Sequence, residues 1–349
     1  MRFYKKQHGF YCGVDLHTRS MYVCILDAEG KTCLHRDIKA QPAAFLRAIE
    51  PYRKDLVVAS ECMFTWYWLA DLCADKGIPF VLGHALYMKA IHGGKSKNDR
   101  IDSEKIAAIL RGGLLPEAYV YPAEMRSTRD LLRRRMFLVH KRAELVGHIQ
   151  NTNSQYNLPQ FGKKLVYAAN REELKVADRF EDDSVRKSVQ IDLDLIDHYD
   201  DLVRDVELYL VKNAKVHDPK SYHLLQTVPG IGKILALVLM YEIHDIDRFK
   251  TVGHFASYAR LVRPKKESVG KPAGRGGGKI GNAHLKWAFS EATCLFMRSD
   301  PKAKRFVARK EAKIGKGKAM SSLAAKLGRS VYWMLKRQDA FDVKQFFGS

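Results

Sequence analysis

The chain has 349 residues, of which 46% are hydrophobic; that supports two or three packed domains and excludes a disordered chain. Its 60 Lys and Arg against 39 Asp and Glu give a formal net charge of +21, which points first to nucleic acid and second to an anionic membrane surface. The six cysteines (Cys12, Cys24, Cys33, Cys62, Cys73 and Cys294) form no CxxC pair and no Cys/His cluster of zinc spacing, leaving buried free thiols in a reducing cytoplasm as the expectation.

The N-terminal "MRFYKKQHGFYCGVD" lacks the apolar run of a signal peptide. Residues 10–38 read as three strands, "FYCGVDLH", "MYVCILDA" and "TCLHRDI", with a turn at "AEGK". "QPAAFLRAIEPY" reads as a helix, "DLVVAS" as a short apolar strand ending before Glu61, and "TWYWLADLCADKG" as a helix stopped by Gly77. The apolar window Leu56 to Cys73 holds Glu61 and Asp71, so it is not a membrane span. "IPFVLG" is another strand, and "DRIDSEKIAAILRGG" a helix opening at Asp99. Three strands followed by alternating helices and strands predict a mixed α/β sheet with helices packed on it, over residues 1–123.

Residues 124–220 read as a helical arm, an antiparallel pair or coiled coil. Its first helix sets Leu131, Leu132, Phe137, Leu138, Leu145 and Ile149 on one side and Arg126, Arg129, Arg133, Arg134, Arg135, Lys141 and Arg142 on the other. Such an arm dimerises, binds nucleic acid, or does both, with Arg129, Arg133, Arg134 and Lys141 as the expected nucleic-acid contacts; an ordinary solvated helix face is the plainer reading. Residues 221–349 read as mostly α. There "PGIGK" (with Gly230, Gly232 and Lys233) sits between two helices, as in a helix–hairpin–helix that grips a sugar–phosphate backbone. A basic, glycine-rich loop follows, carrying Lys265, Lys266, Lys271, Arg275 and Lys279 around the polar nucleophile candidate Ser268. The chain closes on the apolar-faced helix "MSSLAAKLGRSVYWMLKR".

The acids of the first region invite a chemical reading. Asp15 lies inside a strand, where a buried charge needs a partner. Glu61 ends a central strand, a usual place for sites in open sheets. Asp99 and Asp102, three residues apart, share one face at the start of a helix. Singly, these are a strand-end acid, a surface acid and a helix cap. Together they repel one another unless a divalent cation balances them, and oxygen ligands select Mg²⁺ or Mn²⁺.

"GVDLH", "ASE" and "KNDRIDSEKIA", in this order, resemble the N-terminal DEDD domain of the IS110/IS1111 family of transposases. "LLQTVPGIGKILALVLMYEI" through "GNAHLKWAFSEA" resembles that family's C-terminal domain. The resemblance spans nearly the whole chain. It implies a RuvC/RNase H-like fold for the first domain, with Asp15, Glu61, Asp99 and Asp102 as catalytic metal ligands. It also implies Ser268 as nucleophile, although some relatives read Ser-Gly where this chain has Ser268-Val269-Gly270. Members are recombinases guided by an element-encoded structured RNA and act as tetramers on donor and target DNA.

The leading expectation is thus a cytoplasmic, nucleoid-associated insertion-sequence recombinase working through a phosphoserine. Lys95, Lys97 and Arg100 are expected as phosphate contacts at the rim of its metal site. The alternatives are a metal-dependent junction endonuclease using water, and a non-enzymatic basic scaffold.

Overall fold

The computed structural model describes residues 2–91, 98–262, 267–268, 271–272 and 280–348. They gather into two units, Met1–Glu124 and Met125–Ser349. The helices expected as an arm over 124–220 therefore share a unit with the C-terminal region.

In the first unit, β1 (Phe10–Leu16), β2 (Ser20–Asp27) and β3 (Thr32–Lys39) form an antiparallel meander; β1 and β2 are rich in β-branched, aromatic and other apolar residues, whereas the edge strand β3 also carries His35, Arg36, Asp37 and Lys39. The first hairpin closes with His17 N–H donating to Ser20 O at 3.0 Å. Helix α1 (Pro42–Ile49) starts with proline in its first turn, where no backbone donor is needed. It leads to β4 (Leu56–Glu61), parallel to β1. After α2 (Trp66–Asp75) comes β5 (Phe80–Gly83), parallel to β4. The sheet order is β3-β2-β1-β4-β5. A short helix, α3 (Ala85–Ile91), follows β5 after one linking residue and was not marked in the sequence. Helix α4 (Asp99–Arg111) is the last of the unit before its boundary.

The central strand β1 is buried on both faces. Cys12, Val14 and Leu16 pack with Val58 against Phe45 and Ile49 of α1 and Leu69 and Cys73 of α2. On the opposite face, Tyr11 packs with Val57 and Ala59 against Ile106, Ile109 and Leu110 of α4. Each large apolar side chain so buried contributes about 1.5–3 kcal/mol. Alternation along β1 and β4 thus decides which residues look towards α4, and Asp15 and Glu61 fall on that side.

In the second unit, α5 (Ala123–Gln155), α6 (Ala168–Leu174) and α7 (Asp183–Asn213) come first. Arg135 pairs with Glu207, Arg142 with Asp200 and His148 with Asp192. Partner numbers fall along α7 as they rise along α5, so the two long helices run antiparallel. Ile149, Val189, Leu193 and Ile196 close an apolar seam with Leu165 and Phe180. Arg171 of α6 is buried and donates to Asp197 and Asp200, tying that short helix to α7.

Next come α8 (Pro219–Gln226), α9 (Lys233–Ile243) and α10 (Val252–Tyr258). Where a glycine-rich loop was expected, a two-residue ladder joins β6 (Glu267–Ser268) to β7 (Lys271–Pro272). The chain ends with α11 (Ala283–Ser299), α12 (Pro301–Ile314), α13 (Lys316–Arg337) and α14 (Val343–Phe347). Helix α9 is buried from Leu235 to Ile243, as its all-round apolar sequence requires. It shares its core with Phe255, Phe289, Phe296 and Tyr332. Among the described residues, no helix is long and apolar enough to cross a membrane.

Candidate active site

Glycine at position 13 determines how near α4 comes to the sheet. A Cβ there would lie 2.2 Å from Ser103 O and 2.4 Å from Ala107 N, both backbone atoms of α4. The helix start is set separately. Asn98 is the N-cap, its side-chain oxygen accepting from Ile101 N–H at 2.8 Å. His35 of β3 approaches Arg100 O at 3.0 Å, and Ser103 Oγ donates to the same carbonyl at 2.8 Å. Capping is therefore the work of an asparagine. Asp99 and Asp102, in the first turn, are left to other partners.

Those partners are near. His17 Nε2 lies 3.4 Å from Asp15 Oδ2 and 3.3 Å from Asp99 Oδ2. One ligand atom from each of Asp15, His17 and Asp99 falls within 4.8 Å of the others. Asp102 stands outside that trio and faces Lys105 at 3.9 Å. Its charge is still felt at Asp15. Burial raises the Asp15 carboxyl above its ordinary value, Asp99 and Asp102 raise it further, and His17 offsets part of this. Glu61 also lies outside the trio. The β1–β4 ladder pairs Val14 with Ser60, so Asp15 and Glu61 are the next residues on adjacent parallel strands. The carboxylate and imidazole donors suit a hard or borderline divalent cation, and the mutual repulsion at Asp15 is what such a cation relieves.

In the second unit, Ser268 sits on β6 opposite Lys271 of β7. Lys95, Lys97, Lys265, Lys266, Arg275 and Lys279 lie outside the described residues. Arg100 is exposed in the first turn of α4.

Two family models match the chain. One, described as "Transposase" and named for the DEDD domain of IS110, covers residues 12–157. The other, "Transposase IS116/IS110/IS902 family", covers residues 222–308. A "Transposase for insertion sequence element IS1111A" from Coxiella burnetii is 24% identical over 339 residues, covering 94% of this chain and 90% of the relative. An "Insertion element IS110 uncharacterized 43.6 kDa protein" from Streptomyces coelicolor is 31% identical over 121 residues, 34% of this chain and 29% of that protein. The chain belongs to the IS110/IS1111 family of transposases. It is an insertion-sequence transposase, and DNA is its substrate.

In this IS110/IS1111 transposase the arginine face of α5, expected to hold nucleic acid through Arg129, Arg133, Arg134 and Lys141, is partly turned inward. Arg126 and Arg129 are buried. Arg129 donates to Glu242 Oε2 from Nε at 3.2 Å and Nη2 at 3.0 Å. Arg133 donates from Nε to Oε1 at 2.7 Å and from Nη2 to Oε2 at 3.0 Å. Asn282 Nδ2 adds a bond to Oε2 at 2.7 Å. Glu242 is 2% exposed, and these donors are what make its burial tolerable. Arg135 and Arg142 are taken up by acids of α7. The outward side of α5 retains Arg134, over the Phe137 ring at 4.7 Å, and Lys141, paired with Glu144 at 2.7 Å.

The glycines of "PGIGK" also divide. Gly230 adopts φ +90°, and a Cβ there would meet Phe296 N at 2.6 Å and Ala292 O at 2.7 Å of α11. The missing side chain at Gly230 thus makes room for α11. Gly232 and Lys233 are exposed at the N-terminus of α9, which has no side-chain cap.

One residue of the site was missed in the sequence. His17 is two residues beyond Asp15, a spacing that keeps both on one side of an extended chain. The stretch after Arg298, basic through Lys318 in the sequence, forms helix α12, which buries Ala303 and Val307 and exposes Lys302, Lys304, Arg305, Arg309 and Lys313, with Glu311 as its sole acid.

Proposed function

We propose that this transposase cuts and rejoins DNA through a covalent phosphoserine at Ser268, assisted by a divalent cation (Mg²⁺ or Mn²⁺) held by Asp15, Glu61, Asp99 and Asp102. The observation that carries the metal part is the gathering of Asp15, His17 and Asp99 at the end of the central strand, with Glu61 one strand away in register. The strand order, with a three-strand meander followed by two parallel strands, supports reading the first unit as a RuvC/RNase H-like domain. Serine is a weak nucleophile until its proton is removed. A cation at the acids supplies charge stabilisation for phosphoryl transfer. The hydroxyl of Ser268 attacks phosphorus, the displaced DNA oxygen departs with a proton, and the phosphoserine keeps the bond energy for rejoining. No ATP is then required.

Guidance by an element-encoded RNA, a tetrameric assembly and a cytoplasmic, nucleoid-associated location complete the reading. They rest on the family resemblance and on the +21 charge. The exposed cations of α12, with Gly232 and Lys233 at α9, are the backbone-gripping surfaces, leaving sequence choice to base pairing. The coiled-coil reading of α5 and α7 is supported by their antiparallel course and apolar seam.

The deciding experiment incubates the protein and its Ser268→Ala variant with end-labelled donor DNA and resolves products on denaturing gels. A protein–DNA adduct in wild type and none in Ser268→Ala is expected, with DNA binding kept. Adduct-free cleavage that persists in Ser268→Ala replaces the reading with a water-using junction endonuclease. Sequencing RNA that co-purifies tests the guide, which fails if no specific RNA is bound.

A further inference from the structure

We infer that His17 is a further ligand of the cation and biases the site towards Mn²⁺ over Mg²⁺; this rests on the proposal that the acids hold a divalent cation. The residue is fixed by its surroundings. Its backbone N–H closes the β1–β2 hairpin onto Ser20 O at 3.0 Å. The preceding Leu16 is buried, and its carbonyl accepts from Thr65 Oγ1 at 3.0 Å. The imidazole is consequently held over the end of β1, where Nε2 stands 3.4 Å from one Asp15 oxygen and 3.3 Å from one Asp99 oxygen. Adjacent ligands of an octahedral ion with metal–ligand bonds of about 2.1 Å are about 3.0 Å apart. Nε2 stands close to that spacing from each carboxylate oxygen, all three ligand atoms lie within 4.8 Å of one another, and they come from β1, the hairpin and α4.

Nitrogen in this position changes what the site selects. Mg²⁺ takes oxygen ligands and surrenders its water reluctantly, whereas imidazole suits later divalent ions, and affinity rises from Mn²⁺ along the first row. A site of acids alone has no such preference. The opposite role is also chemically coherent: an imidazolium bridging two carboxylates in place of the cation, and displaced when the cation enters. The two roles predict opposite effects of removing the ring. His17 is 46% exposed at its side chain, so its removal leaves the core intact.

The test loads the full-length protein with Mn²⁺ and records pulsed electron paramagnetic resonance, which detects a directly coordinated ¹⁴N nucleus. Wild type is expected to show nitrogen coupling that is lost in His17→Ala. Mn²⁺ affinity should fall about tenfold in that variant, with Mg²⁺ affinity, measured by competition, changing less. Mn²⁺ uptake without nitrogen coupling overturns the assignment while leaving the acids as the site. Tighter Mn²⁺ binding by His17→Ala overturns it in favour of the bridging imidazolium. Failure of wild type to bind Mn²⁺, or equal binding by Asp15→Asn, overturns the underlying metal reading as well.

Discussion

Replacing Glu242 by Gln tests the energetic centre of the second unit. The carboxylate is 2% exposed. Burial pushes it up, but hydrogen bonds from Arg133 and Asn282 and the charges of Arg129 and Arg133 outweigh this and bring it from 4.5 to about 2. At about 1.4 kcal/mol per pH unit, that drop contributes about 3 kcal/mol to folding at neutral pH. The folded value lies below the unfolded one. The contribution is therefore complete above the unfolded value of 4.5, and drains away as pH falls towards 2. About 1 kcal/mol remains at pH 3. Glu242→Gln keeps the shape and removes the negative charge that Arg129 and Arg133 share, so a loss of about 3–5 kcal/mol is expected. Urea unfolding of the full chain, followed by helical circular dichroism at pH 7, 4 and 3, measures it. The gap between wild type and variant should be widest at pH 7 and about 2 kcal/mol smaller at pH 3. A gap below about 1 kcal/mol at pH 7, or one that does not narrow with acid, refutes the reasoning.

Other outcomes follow from the same geometry. Gly13→Ala should push α4 from the sheet by about 1 Å at an overpacking cost of about 1–3 kcal/mol, and weaken Mn²⁺ binding in a calorimetric titration even where the fold survives. Gly230→Ala combines a left-handed φ with backbone approaches of 2.6 and 2.7 Å on α11; it should lower the unfolding midpoint, whereas Gly232→Ala, with open space at its Cβ, should leave it nearly unchanged. Lys304→Glu with Arg309→Glu should weaken DNA binding and reduce the salt slope by about 0.9 for each phosphate no longer neutralised, as read from filter binding at several salt concentrations. Native thiol labelling at pH 8 should begin at exposed Cys62 and spare Cys24 and Cys73, which burial pushes up to about 12; mass mapping of the first modified peptide checks this.

Local pattern was sufficient where one residue type could occupy only one environment. The alternating runs of β1 and β2, the apolar "DLVVAS" and the capped start at Asp99 made the first unit legible, down to the acids on the α4 side. What was not legible depended on distant partners. The arginines of α5 read as a nucleic-acid-binding face because Glu242 is 113 residues from Arg129, and Glu207 is 72 from Arg135. No local window contains both members of such a pair. The demand that α11 places on Gly230 was hidden for a related reason: it exists only once that helix is in place. His17 was overlooked although its two-residue spacing from Asp15 was visible, because the helix supplying its second carboxylate was needed to give the ring a role.

The close seating of α4 on Gly13 has a thermodynamic consequence. Asp15 belongs to the sheet and Asp99 to the helix, so on the proposed metal reading a cation held by both is a ligand of the docked arrangement alone. Docking and cation uptake are then linked equilibria. At a hundredfold excess over its dissociation constant the ion adds about 2.7 kcal/mol to the seated state, and a loosened helix lowers cation affinity by the same factor. The absent side chain of one glycine thereby sets an affinity at a site it does not touch.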